Sequence, residues 1–201
     1  MAEPGKEVSL FNGKDLSGWK NDKGGAPGSG WKVEDGGVLH RAEKGGDLIS
    51  EKEYADFELE FDWKISKGGN CGVKYRVRKT GTGWIGAEYQ VLDDAGHPNG
   101  KVPDTTAASL YEVVPAAKDK ELKPVGEWNH SKVVAKGNTI EHWLNGKLVV
   151  KADTTSKEWA EMKKASKFAK IDGFAEAGPG HILIQDHNDE AWFKDIKIRE
   201  L

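Results

Sequence analysis

Phe57-Glu58-Leu59-Glu60-Phe61-Asp62-Trp63-Lys64-Ile65 is the stretch that decides the fold. Apolar and charged side chains alternate along its whole length, which is the period of a β-strand with one face in a core and the other in water. Val73-Lys74-Tyr75-Arg76-Val77-Arg78 repeats the pattern after a Gly68-Gly69-Asn70 turn. The two stretches are therefore expected to pair antiparallel, with the cations of one beside the carboxylates of the other.

Further strands follow in both directions. Trp31 to Glu34 and Val38 to Arg41 flank Asp35-Gly36-Gly37, and Ile140 to Leu144 and Lys147 to Lys151 flank Asn145-Gly146; both are hairpin signals. Strands are also expected at Ala87 to Leu92, Ser109 to Val114, Asn129 to Ala135, His181 to Gln185 and Trp192 to Arg199. One helix is expected from about Ser156 to Ala165, opened by a Thr155/Glu158 capping box and placed in a loop outside the sheets. Pro98 to Thr106 and Pro115 to Pro124 read as long excursions. Many short strands with turn residues between them predict an all-β, two-sheet antiparallel sandwich, a single domain over residues 1–201.

Composition narrows the function. The 201 residues carry 37% hydrophobic content, enough for one full core. Lys and Arg number 30 against 33 Asp and Glu, without a basic block long enough to follow a phosphate backbone, so nucleic acid is not an expected partner. Runs such as Leu148-Val149-Val150 are far shorter than the roughly 20 residues of a membrane span. Cys71 is the only cysteine, so no intrachain disulfide is possible, and between Asn70 and Gly72 it reads as a packed residue. The eight Trp and 25 Gly suit flat platforms and tight turns.

Three clusters carry possible chemistry. In Gly86-Ala87-Glu88-Tyr89-Gln90-Val91-Leu92-Asp93, alternation sets Glu88 and Gln90 side by side, and the strand runs into a carboxylate-rich loop ending at His97. A solvated strand face ending in a plain turn accounts for that spacing equally well. In Gly180-His181-Ile182-Leu183-Ile184-Gln185-Asp186-His187, a regular strand puts His181, Gln185 and His187 on one face, where two imidazoles and a nearby carboxylate suit either a cleft wall or a divalent metal. The plainer reading is that Gln185 and Asp186 satisfy loop backbone groups and His187 packs on Trp192. Arg76, on a polar face, and Lys167, in Ser166-Lys167-Phe168, are candidate cations for a substrate; His142 reads as structural.

These residues lie within strings that resemble the 3-keto-disaccharide hydrolase family. They include Leu10-Phe11-Asn12-Gly13, Trp31-Lys32-Val33-Glu34-Asp35-Gly36, Gly46-Asp47-Leu48-Ile49-Ser50, Glu88-Tyr89-Gln90-Val91-Leu92-Asp93, Trp143-Leu144-Asn145-Gly146, Ser166-Lys167-Phe168 and Gln185-Asp186-His187, in order along nearly the whole chain. Cys71, Asn188 and Lys194-Asp195 depart from the family's usual residues. The resemblance implies a concanavalin A-like jelly roll and cleavage of glycosides whose C3 hydroxyl has been oxidised to a ketone. It also implies export to the periplasm or medium, with a signal peptide removed.

A C3 ketone acidifies the C2 hydrogen, so a base can remove it and the enolate can expel the C1 substituent, without the paired carboxylates of ordinary glycosidases. His187 or Glu88 is the expected base, and Arg76, Lys167 or a divalent metal held by Glu88 and His187 the expected enolate stabiliser. Gln90, Asp93, His97, Gln185, Asp186 and Trp192 are the remaining expected substrate contacts. Two alternatives stand beside the enzyme: a non-catalytic carbohydrate-binding module on the same fold, and an ordinary glycoside hydrolase.

Overall fold

The computed structural model describes residues 5–81 and 83–201. In chain order the strands are β1 (Val8–Ser9), β2 (Trp19–Lys20), β3 (Trp31–Glu34), β4 (Val38–Arg41), β5 (Leu48–Tyr54), β6 (Phe57–Ile65) and β7 (Asn70–Thr80). They continue as β8 (Gly83–Leu92), β9 (Asn129–Lys136), β10 (Thr139–Leu144), β11 (Lys147–Asp153), β12 (Gly180–Ile184) and β13 (Ala191–Glu200), with one helix, α1 (Lys157–Ala165), after β11. One sheet runs β11-β10-β9-β6-β13-β4-β3 with β1 added beside β13, and the other runs β2-β5-β12-β7-β8. All pairings are antiparallel. The result is the two-sheet antiparallel sandwich that the alternating stretches predict, with the jelly-roll architecture that the resemblance implies.

The expected pairing of Phe57–Ile65 with the Val73 stretch is not what forms. β6 takes its hydrogen bonds from β9 and β13, and β7 from β8 and β12, so the two stand in opposite sheets. Ser66 to Gly69 carries the chain across the sandwich, and the apolar faces of β6 and β7 meet through the core, as in the edge-to-face contact of Phe57 with Tyr75 at 6.3 Å. Alternation sets which face is buried and is silent on the partner. The carboxylates of β6 meet cations of their own sheet instead, Glu58 with Arg199 and Asp62 with Lys194.

Both hairpins form as read. At Asn145-Gly146 both residues have positive φ, 49° and 84°, the geometry of the two-residue turn that joins Leu144 to Lys147. The segment Ser109 to Val114 is not a strand: Ala108 (φ 65°) and Glu112 (φ 57°) are left-handed, leaving only single bridges from Leu110 to Tyr89 and to Val114. The helix starts one residue later than its expected cap. Ser156 Oγ accepts from Trp159 N at 3.1 Å, while Thr155 turns back to Asp153.

Polar groups link the two sheets across the core. Trp63 Nε1 donates to Ser131 Oγ (2.8 Å), which donates to the Tyr89 hydroxyl (2.7 Å) of the opposite sheet. The Ala108 carbonyl lies 2.9 Å from Nδ1 of fully buried His142 and can only accept, so Nδ1 carries the proton and Nε2 accepts from the Tyr75 hydroxyl at 2.8 Å. Burial pushes the His142 imidazole down to about 4. Because the folded value lies below the unfolded one, the unfolded chain takes up a proton first, and the stability of the neutral form drains away as pH falls from about 6.5 to 4, by about 3 kcal/mol in all. Denaturant titrations of the wild type and His142→Gln should therefore differ at pH 7 and converge at pH 4; a pH-independent difference would contradict this.

Candidate active site

The outer face of the five-stranded sheet carries the site. Alternation sends Val73, Tyr75, Ala87, Tyr89 and Val91 into the core, leaving Lys74, Glu88 and Gln90 on the opposite face. The register sets Lys74 across from Glu88 and Gly72 across from Gln90. Here lies a cavity of about 170 Å³, lined by Asn70, Lys74, Glu88 and Gln90 from β7 and β8 and by Gln185 and His187 beyond β12. Trp84, Ile85 and Gly86 line its β8 end, and Tyr111, Lys167 and Phe168 arrive from loops.

Each loop group is held by local structure. Tyr111 N donates to Glu88 O, laying that residue along the sheet edge. Lys167 and Phe168 follow α1, whose Trp159 stacks on Phe174 as Phe168 does, at 6.2 and 4.0 Å. Ser166 Oγ accepts from Phe168 N and donates to Lys163 O, turning the chain toward the cavity. The Lys167 ammonium lies 4.3 Å from the Tyr111 ring centroid and 3.4 Å from Glu112.

Glu88 is the buried ionisable group of this cavity, with 8% of its side chain exposed and Lys74 Nζ 3.8 Å from Oε2. Burial raises its pKa above the ordinary carboxylate value; the charges of Lys74 and Lys167 pull it partly back, and Asp47 and Glu112 push it up again. Space for the carboxyl comes from Gly72, where a Cβ would stand 2.2 Å from Glu88 Oε1. Gly72→Ala should thus swing the carboxyl aside, as a crystal structure of the variant would show.

Of the ten residues expected from sequence, Glu88, Gln90, Lys167, Gln185 and His187 line this one cavity. The others lie apart from it. Arg76 sits in a β7 bulge with φ 51°, which turns its side chain to the end of the sandwich; it is fully buried there on Gly137 O (2.8 Å), Ala175 O and Asp56. Asp93 accepts from Gly68 N and Ala95 N and closes its loop. His97 caps the short turn Pro98–Lys101 by accepting from Asn99 N. Trp192 is on the outer face of the other sheet, stacked on His40 at 4.5 Å. Asp186 accepts from Arg41 Nε (2.6 Å) and from Gly45 N and Gly46 N, and these hydrogen bonds hold its pKa below the ordinary value against the cost of burial. It anchors the chain between Gln185 and His187. His181 is buried near the cavity, its Nδ1 donating to Ser50 O and its ring edge-on to Trp84.

Lys74, Tyr111, Trp84, Asn70 and Phe168 line the cavity without having been expected there. Lys74 was legible as a wet-face residue of its strand, but only pairing with β8 sets it against Glu88. Tyr111 lies in the segment that reads as a strand, Ser109 to Val114, where nothing announces the left-handed turns. Among the described residues no group of three His, Cys, Asp or Glu side chains is placed to hold a metal ion. The positive charge nearest Glu88 is the Lys74 ammonium.

Residues 6–199 match the model of the 3-keto-alpha-glucoside-1,2-lyase-like domain. A 3-keto-disaccharide hydrolase of Bacteroides thetaiotaomicron is 34% identical over 96% of this chain and 78% of its own length. A crystal structure from Parabacteroides distasonis, of a protein provisionally assigned as a glycosyl hydrolase, superposes with TM-score 0.87 at 33% identity, covering 97% of this chain and 94% of the other. A β-glucanase of Bacillus licheniformis shares the fold alone, with TM-score 0.51 at 12% identity over 99% and 98% of the two chains. Sequence and architecture together place the chain in the 3-keto-alpha-glucoside-1,2-lyase-like domain family.

Proposed function

We propose that the chain is an extracytoplasmic glycoside-cleaving enzyme whose substrates are glycosides oxidised to a ketone at C3, and that Glu88 starts the reaction. The observation that carries this reading is a buried carboxylate of raised pKa beside a lysine ammonium, in a cavity about the size of a sugar ring. The relatives' named activities are consistent with it.

In the first step Glu88 takes the proton from C2, and the electron pair forms the C2=C3 enolate with its charge on the ketone oxygen. Lys74 and Lys167 supply positive charge where that negative charge develops. In the second step the carbonyl re-forms, C1=C2 forms and the C1–O bond breaks, with His187 delivering a proton to the departing oxygen. Water adding across C1=C2 then completes a net hydrolysis; release before addition is the lyase outcome. Asp186 serves by position, pinning the backbone that carries His187.

Purified protein should turn over a 3-keto-glucoside and leave its unoxidised parent intact, as followed by chromatography of the released aglycone. Turnover of the parent glycoside at a similar rate would mark an ordinary glycosidase, and tight binding of both without turnover a carbohydrate-binding module.

A further inference from the structure

Trp84 lines the end of the cavity where β8 begins, and part of its surface is open to solvent. It packs against Ile49, Val77 and Leu183, a fully buried cluster apart from the main core, drawn from β5, β7 and β12. Its Nε1 donates to Asp22 O at 2.9 Å, and its ring stands edge-on to His181 at 5.5 Å. The indole is therefore fixed over the sheet by the protein itself. Gly86, between Trp84 and Glu88 on the same face of β8, leaves the strip between them without a side chain. The other two aromatic wall residues are more occupied: Phe168 gives a ring face to Phe174 at 4.0 Å, and the Lys167 ammonium lies 4.3 Å from the Tyr111 centroid. The ammoniums beside Trp84 stand farther off, Lys79 at 5.6 Å and Lys20 at 5.9 Å, on flexible stems.

The register orders the cavity from end to end. Trp84 pairs with Lys79, Glu88 with Lys74, and Gln90 with Gly72, whose carbonyl accepts from Gln185 N. Glu88 thus stands between Trp84 on one side and Gln185 and His187 on the other. Four residues, about 13 Å of strand, separate it from Trp84, a span that the length of the indole side chain narrows toward the width of one pyranose ring. We propose that Trp84 is the platform on which the ketone-bearing ring itself stacks, with its C3 to C5 side over the indole while C1 and the leaving group extend toward His187. The proposal rests on the reading that Glu88 faces C2 and His187 the departing oxygen. The C–H groups of a pyranose make an apolar face that a flat indole covers, while the hydroxyls stay at the ring's edge. Stacking fixes the plane of the ring, and a fixed plane is what aims the C2 hydrogen at the Glu88 carboxylate. The aglycone lies at the other end, so its identity does not alter what Trp84 contributes.

The test uses Trp84→Phe, which keeps a smaller flat ring, and Trp84→Leu, which keeps none. Trp84→Leu should lose about tenfold to a hundredfold in kcat/KM, by the same factor with methyl, nitrophenyl and glucosyl aglycones on a 3-keto-glucoside, and Trp84→Phe should recover most of that loss. Unoxidised methyl glucoside, bound without turnover, should perturb the near-ultraviolet absorption of an indole in the wild type and not in Trp84→Phe. This spectral arm needs only Trp84→Phe, so a Trp84→Leu protein that fails to fold leaves the test standing. A loss that grows with the size of the aglycone would move Trp84 to the leaving group and overturn the proposal. So would a perturbation that persists in Trp84→Phe, or one absent from the wild type at saturation, since Trp84 would then only cover Ile49, Val77 and Leu183. A perturbation that depends on Trp84, without turnover of any ketosugar, would instead overturn the reaction and leave Trp84 its role.

Discussion

Glu88→Gln should lower kcat on a 3-keto-glucoside by about 10²- to 10⁴-fold, the range expected for removing a general base, and should leave the protein at least as thermally stable as the wild type at pH 7. The two halves have one cause. Glu88 is buried, and burial holds its folded pKa above the unfolded value. As pH rises from the ordinary carboxylate value through the folded one, the unfolded chain releases a proton that the folded chain retains, so stability falls across that window. Above it the folded protein carries a desolvated charge that glutamine lacks. A stability penalty from losing the Lys74 contact works the other way, but Lys74 lies at 3.8 Å, beyond hydrogen-bond reach. Undiminished turnover in Glu88→Gln removes the residue from the mechanism. Lost turnover accompanied by a large drop in melting temperature at both acid and neutral pH would mean the carboxylate serves the fold.

The same charge arrangement sets the pH profile. As the proposed base, Glu88 must be ionised, so the acid limb of kcat/KM should lie above the ordinary carboxylate value. Lys74 lowers the Glu88 pKa, so removing its ammonium, as in Lys74→Met, should move that limb to higher pH as well as slow the reaction. A purely structural Lys74 would slow the reaction without moving the limb.

How much of this was legible beforehand follows from what a period of two encodes. It marks buried faces, so Phe57 to Ile65 and the pair Glu88 and Gln90 were readable, and turn chemistry located the hairpins at Asp35-Gly36-Gly37 and Asn145-Gly146. It does not name a strand's neighbour. The glycines after Ile65 serve a crossing between sheets as well as a hairpin, so Lys74 was set against the carboxylates of β6 and not against Glu88. Nor does it reveal a bulge: the left-handed backbone at Arg76 breaks the alternation and removes a cation from the polar face, with nothing in Tyr75-Arg76-Val77 to announce it. Asp93, His97 and Asp186 are polar residues near a site whose side chains are consumed by loop backbone, and spacing does not separate a capping carboxylate or imidazole from one that meets a ligand. The segment that brings Tyr111 over the sheet, Ser109 to Val114, reads as a strand, and nothing in it announces the left-handed residues Ala108 and Glu112 that make it a loop.

His187 lies at the opposite solvent relation from Glu88: exposed, at the cavity wall, on a loop held by Asp186. That placement suits an acid for the departing group better than a base for a buried C2 proton, and the two roles separate by leaving group. An alkoxide or sugar oxygen is a poor leaving group and needs a proton as the C1–O bond breaks, whereas a nitrophenolate departs without one. His187→Ala should therefore cost about 10²- to 10³-fold in kcat with an alkyl or sugar aglycone, and under about tenfold with nitrophenyl 3-keto-glucoside. The melting temperature should hardly move, because an exposed imidazole contributes little to packing. An equal loss on both substrates would make His187 the base or a binding group and return the acid role to another wall residue, with Tyr111 the nearest hydroxyl candidate: burial and Glu112 push its pKa up to about 12, so it stays protonated throughout the working range.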